Sequence, residues 1–331
     1  LIALFARRIF ALGATLAAIA LLSFALLRAA PGGPFDGERS LSPEIERALE
    51  IRFGLSLPAF WNTEAARRGG PMAGIAETQL GRYLGGLLRG DLGPSFRYRG
   101  RSVNEILAAG AGASAAVGAL ALEISVVCGV LFGALAATRR GRALDRAVRA
   151  FAAAATAVPQ FALAAILAAV FSLGLGLVPA AGFDRPAHVF LPAAALALPH
   201  AGAISRLVRA SLLETLSQDF IRTARAKGLS EARVVLGHAL RPALAPVVQY
   251  LGPAAAGLVT GSLAVEAVFC VPGIGAHFVN AALNRDYTLV MGTVLFYSTL
   301  LLVFNAAADL AAAWLDARAA ARVFEERPPR A

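Results

Sequence analysis

Residues 217–246 read SQDFIRTARAKGLSEARVVLGHALRPALAP, a charged two-helix stretch inside a chain that is otherwise mostly apolar. It holds Lys227, the only lysine of the protein. Ser217 or Asp219 can cap a helix that runs through Lys227. Gly228 is suited to stop it, because glycine readily takes the left-handed conformation that ends helices. Ser230 can start a second helix, with Glu231 in its positively polarised first turn. Pro242 and Pro246 mark the handover to the next apolar run. The expected shape is an elbow with a short arginine-rich helix at its tip. An ordinary basic loop would share this composition, so the rest of the chain decides between the two readings.

With 331 residues, 58% apolar content and a mean hydropathy of +0.66, the chain does not read as a soluble globule. Charged residues make up 16%, against the roughly 25% usual for soluble domains. Six apolar runs approach or exceed the ~20 residues that cross a bilayer. They are residues 9–27, 114–138, 147–178, 189–207, 243–269 and 288–314. The expected fold is an all-α polytopic membrane protein with about six transmembrane helices. Pro159 kinks or shortens the third run, and Pro192, Pro199 and His200 interrupt the fourth. The first run follows Arg7-Arg8 as a signal peptide would. It is too long for that role and lacks a small-residue cleavage site, so it reads as an uncleaved span.

Between the first two spans, residues 31–105 form a polar domain. Ser42-Pro43-Glu44 starts a helix there that Gly54 ends, and a second helix is expected across 75–89, closed by Gly90. Ser102-Val103-Asn104-Glu105 is a capping box leading into the second span. Residues 106–314 form the membrane core, 1–30 the amino-terminal segment with the first span, and 315–331 a tail.

The net charge of +10 is placed unevenly. Arg7 and Arg8, five arginines against Asp145 in 138–149, and seven basic against three acidic residues in 205–241 account for it. The alternate segments are nearly neutral, with ten basic and nine acidic residues in 31–105. Positive segments stay inside, so both termini and the elbow are expected in the cytoplasm and residues 31–105 outside. The basic excess is a topology signal with attraction to anionic membrane lipids, and no nucleic-acid partner is implied.

His188, His200, His238 and His277 show no HExxH spacing, and no GxSxG serine elbow occurs. Cys128 and Cys270 lie far apart and read as small buried hydrophobes. A phosphate-binding P-loop ends in Gly-Lys-Ser/Thr, yet Lys227 is followed by Gly228. Transport powered by ATP would then need a separate ATPase, and a cytoplasmic element to receive its motion. Carboxylates inside the apolar runs are few, namely Glu123, Glu266 and Asp309, and charge at such depth is costly. Glu123 and Glu266, with Gln249, are candidates for a translocation path. Against this, Glu123 can pair inside the bundle, Asp309 can reach the interface, and Glu266 can be solvated at the outer end of its span. A proton- or sodium-driven transporter would use the same acids but predicts an inverted repeat, which the sequence does not display. An intramembrane enzyme would need polar groups on facing spans that are here mostly alanine, leucine and glycine. Gly252, Ala254, Ala255, Ala256, Gly257 and Gly261 suit close helix approach and rocking, or simple packing.

Several stretches together carry a family resemblance. They are RAAPGGPF with residues 36–39 (28–39), GDLGPSFRY (90–98), VPQF (158–161), FIRTARAKGLSEARVVLGHALRPALAP (220–246), GPAAAGLVTGSLAVEAVFCVPGIG (252–275) and LNRDY (283–287). In this order they resemble the inner-membrane permeases of bacterial ABC peptide importers, most nearly the B-type permease of oligopeptide systems. The elbow departs from the broader Glu-Ala-Ala consensus and has Arg222-Thr223-Ala224 ahead of Gly228, the form usual in the peptide subfamily. Residues 58–78 are longer than the family pattern. The resemblance implies a type I permease fold and a bacterial inner-membrane location. It implies a heterodimer with a related permease, two ABC ATPases that bind ATP and Mg, and an external binding protein that delivers peptide. The permease itself would be no enzyme and would hold no cofactor or metal. Asp219, Phe220, Arg222, Thr223, Ala224, Arg225, Lys227, Gly228 and His238 would form the ATPase-coupling surface. Dipeptides, nickel complexes or another small solute are alternative cargoes within the same class.

Overall fold

The structure, a computed structural model, describes residues 2–31, 33–35 and 43–315. Among them the regular structure is helical, apart from an isolated bridge between Pro94 and Ser102. Helix α1 (Ile2–Ala29) carries the first apolar run, and α2 (Pro43–Phe53), α3 (Thr63–Ala76) and α4 (Gln79–Leu87) follow. Gly54 ends α2 at φ +70°, and Gly90 lies beyond α4 at +72°. The cap at Ser42, residues 36–39 and the tail from 316 lie outside the described residues. No helix is expected over α3, because Gly69-Gly70-Pro71 is a helix breaker, although Asn62 ahead of Glu64 is a start signal. The break exists, with Gly70 at φ 81° and ψ −179°. The element forms around it because Asn62 accepts the Ala65 N–H and caps its start. The helix expected across 75–89 is correspondingly shorter. Ile75 and Ala76 complete α3, and Thr78 starts α4 by accepting the Gly81 N–H at 3.0 Å.

Helix α5 (Val103–Thr138) begins at the capping box, well before the apolar run. Ser102 Oγ accepts from the Glu105 N–H at 3.2 Å, and Glu105 Oε2 accepts from the Ser102 N–H at 3.1 Å. Its 36 residues reach about 54 Å at 1.5 Å each, longer than the ~30 Å hydrocarbon core. The third run is broken outright, since α6 (Ala143–Ala157) and α7 (Gln160–Leu167) meet at 107°. Val158 is extended, with ψ 129°, as a residue before proline prefers. Helix α8 (Phe190–Leu216) runs past residue 207 without a break. Pro192 falls in its first turn, where the missing N–H would have no intrahelical acceptor.

The elbow comprises α9 (Asp219–Ala226), α10 (Glu231–Arg233), a π-helical segment (Val234–Ala239) and α11 (Leu240–Ala243). Helix α12 (Ala245–Val259) then enters the fifth run, which is cut at Gly261 (φ +86°) before α13 (Leu263–Phe269). Helices α14 (Ile274–Leu283) and α15 (Tyr287–Leu315) complete the described chain. Among the described residues, four helices are long and apolar enough to cross a membrane unbroken, or up to seven if each bent pair counts as one span. The expected six fall within that range.

The described residues of Leu1–Ala111 and Ile274–Thr299 form one compact unit, and those of Gly112–Gly273 and Leu300–Ala331 form another. In the first, Val103, Ile106, Leu107, Ile274, Ala281 and Leu289 make a core. In the second, Val117 and Ala121 of α5 pack with Leu191 and Leu196 of α8 and with Val265 and Phe269 of α13. Helices of this second unit approach through glycines. A Cβ on Gly118 would meet the Leu258 carbonyl, on Gly129 Ile204, on Gly133 Val208, on Gly202 Ala152, and on Gly252 Asn305. Gly252 is thus a site of close approach, whereas Gly257 faces open space.

Candidate functional site

At eight residues, α9 is too short to be stable alone, so its buried face must hold it. Ile221 and Ala224 turn inward with Val234, Val235, Ala239 and Ala243, and this cluster includes Leu212 of α8 and Ala137 of α5. The link to α8 differs from the expected caps. Ser217 closes α8, its Oγ donating to the Glu214 carbonyl at 2.6 Å, so it is not available to α9. Gln218 takes the N-cap place without a side-chain bond, and Asp219 is the first helical residue, 3.4 Å from Arg222. Gly228 does make the turn, at φ +79°, and Ser230 does precede the second helix.

Across that turn Arg225 donates through Nε and Nη2 to the two oxygens of Glu231, at 2.8 and 3.2 Å. The bond holds the Glu231 carboxyl below the usual carboxylate range and raises Arg225. The pair is exposed, so it adds a modest tie across a turn whose shape rests on Gly228 and the buried seam. Its outer face exposes Asp219, Phe220, Arg222, Thr223, Arg225, Lys227, Gly228 and His238. Phe220 is 47% exposed, unusual for a phenylalanine on a cationic helix, and Leu236 is 67% exposed. Ala224, by contrast, lies in the buried seam and secures the helix. Such a surface can present cations and an aromatic ring to an acidic-rimmed groove.

The three translocation candidates do not share one environment. Glu123 and Gln249 are exposed, whereas Glu266 is only 4% exposed and its Oε1 accepts from Ser114 Oγ at 2.7 Å. Solvation of Glu266 at the end of its span is therefore not what occurs. The break at Gly261 and the turn at Gly273 bring backbone over the carboxylate, and a Cβ at either glycine would overlap it. Cys270 also departs from expectation. It caps α13 at φ 53° and is exposed, because a left-handed turn position puts its side chain outside the packing, while Cys128 is half-buried. Among the described residues no group of three or more His, Cys, Asp or Glu is placed to hold a metal.

Two carboxylates matter more than the sequence suggested. Asp145, the lone acid among five arginines, is 1% exposed. It accepts from Arg209 Nε at 2.6 Å and Nη2 at 3.0 Å and from the Gly141 N–H at 2.9 Å, with Arg149 at 3.6 Å. Its isolation among arginines was the available signal. Asp286, also buried, joins two of the quoted motifs. It accepts from Ser95 Oγ, from the Phe96 and Arg97 N–H groups at 3.2 and 3.3 Å, and from Thr288 Oγ1 at 3.0 Å. His200, an apparent interruption of α8, hydrogen-bonds Tyr250 of α12 at 2.7 Å.

Residues 129–321 match the family model described as binding-protein-dependent transport system inner membrane component. The chain is 40% identical over 304 residues to the oligopeptide transport system permease protein OppB of Haemophilus influenzae, covering 91% of this chain and 94% of that one. It is 38% identical over 312 residues to the dipeptide transport system permease protein DppB of Bacillus subtilis, covering 94% and 96%. Among solved structures, the MetNI methionine ABC transporter in inward-facing conformations matches with a TM-score of 0.51 at 22% identity. That match covers 64% of this chain and 96% of the other, and it shows a shared fold.

Proposed function

The chain belongs to the family of binding-protein-dependent transport system inner membrane components, and from that premise we propose that it is the permease subunit of an ATP-driven peptide importer, forming half of its translocation pathway. The elbow carries the proposal: a short helix held by a buried seam and a salt bridge, with Phe220, Arg222, Thr223 and Lys227 turned outward. A related permease forms the other half of the pathway, two ATPases bind ATP and Mg below, and an external binding protein brings cargo. Peptide cargo is supported by relatives named for oligopeptide and dipeptide transport. Residues 31–105 would receive the binding protein. Both termini would lie in the cytoplasm, which the charge distribution favours.

Arg225 is held by a two-pronged bond to Glu231, whereas Arg222 makes a single longer contact to Asp219 at 3.4 Å, so contact with acidic groups on the ATPase falls chiefly to Arg222 and Lys227, with Phe220 as the apolar element. An R222E/K227E variant, and separately Phe220→Asp, should insert normally but retain at least about tenfold less ATPase on co-purification, the effect of losing an interface hot spot. Undiminished co-purification by both variants would overturn the coupling assignment. Uptake of radiolabelled di- to pentapeptides by the reconstituted assembly should stop on ATP depletion. Uptake that continues would favour an ion-driven carrier.

A further inference from the structure

The cluster around Asp145 lies away from the elbow's outer face, yet it is built on the helix that leads into the elbow. Helix α8 ends at Leu216, and only Ser217 and Gln218 separate it from α9. Leu212, in the last turns of α8, is fully buried in the seam with Ile221 and Ala224. Force applied to α9 therefore reaches α8 by two routes, the two-residue link and the Val234–Ala239 segment, which packs against both helices. One turn before Leu212, Arg209 makes its two-pronged bond to Asp145 at the start of α6. The Gly141 turn, at φ +77°, adds an N–H to the same carboxylate.

Further along the same pair of helices, Arg206 donates to the Ala152 carbonyl and to Thr156 Oγ1, each at 3.1 Å, and Gly202 lies against Ala152. These contacts hold α6 beside α8 without Asp145. What Asp145 adds is a tie from the first turn of α6 and the Gly141 N–H to Arg209 of α8. The Asp145 carboxylate is covered by arginine side chains that are themselves partly exposed, and an apolar pair could cover the same place. Its directional, charge-assisted bonds do something an apolar pair cannot, which is to set one rotation and one axial register.

We infer that Asp145 and Arg209 are positioning residues for energy coupling: their bond sets the rotation and axial register in which the first turn of α6 follows α8 when the elbow is displaced. The inference rests on the reading of the elbow as the ATPase contact. The angle of 107° between α6 and α7 gives this a consequence, because movement of α6 along its axis pushes α7 sideways. The bond thus converts displacement at the cytoplasmic surface into lateral movement within the membrane unit.

The decisive comparison is Asp145→Asn alone against D145N/R209Q, in the assembly reconstituted with its partner permease, ATPases and binding protein. The single variant strands the Arg209 charge and should lower abundance and thermal stability. The double variant removes that stranded charge, so abundance, thermal stability and ATPase co-purification should return to wild-type levels. Radiolabelled tri-alanine transported per ATP hydrolysed should nevertheless stay at least about fivefold below wild type, a typical size for a lost coupling between sites. A double variant that transports at the wild-type ratio would overturn the inference, showing the pair to be structural only. So would a double variant that no longer retains the ATPases, since the pair would then serve assembly. Failure of the elbow reading is separately visible, because in that case R222E/K227E and Phe220→Asp both keep their ATPases.

Discussion

Gly228 can be tested more cleanly than any other residue of the elbow. Its φ of +79° disfavours any side chain, yet a Cβ there would meet nothing within 4 Å. Substitution therefore acts through the backbone alone. Alanine costs roughly 1 kcal/mol in a left-handed position, and a β-branched residue costs more. Gly228→Val is expected to insert and assemble but to lose most peptide-stimulated ATPase activity, with Gly228→Ala intermediate. Normal stimulated activity in the valine variant would show that the elbow angle is unimportant. Gly261 is a contrasting case, because its positive φ coincides with a collision against the Glu266 carboxylate. A substitution there would confuse turn geometry with packing.

Among the elements, α9 is too short to form without its neighbours. Its buried seam replaces the length it lacks, and the exposed Arg225–Glu231 bond adds a modest tie across the turn. Glu231→Gln should speed amide hydrogen exchange across residues 225–231 at neutral pH while leaving exchange in α8 unchanged. The wild-type bond should show a matching pH dependence. Because folding lowers the Glu231 pKa, its contribution is complete above the unfolded value of about 4.3 and disappears as pH falls through the lower folded value. Equal exchange in wild type and variant would show that the bond does not steady the turn. The turn at Gly228, the start at Ser230, the capping box at Ser102 and the bounds of α15 were legible because each depends on chemistry within a few residues. Helix α3 was not, since its Gly-Gly-Pro interior looks like a loop until Asn62 is seen to cap it. The Asp145–Arg209 bond was invisible for a different reason. It joins residues 64 positions apart, and no local pattern records which of several arginines a lone acid will meet.

For the whole molecule, charge distribution and exposed groups make one joint statement about orientation. Cys270 is exposed near the far end of the fifth run, and Lys227 lies on the elbow at its near end. In intact cells lacking the outer membrane, an impermeant maleimide should label Cys270. A Lys227→Cys/Cys270→Ser variant should be labelled only after permeabilisation. The reverse pattern would invert the proposed topology. The glycine contacts at 118, 129, 133, 202 and 252 carry a different message. Lipid tails solvate a leucine as readily as a protein interior does, so water does not squeeze these helices together. Their cohesion is a matter of fit. A fold of this kind drifts freely in the greasiness of its outer surface, yet a single added methyl group at 118, 129, 133 or 252 forces its neighbours to shift.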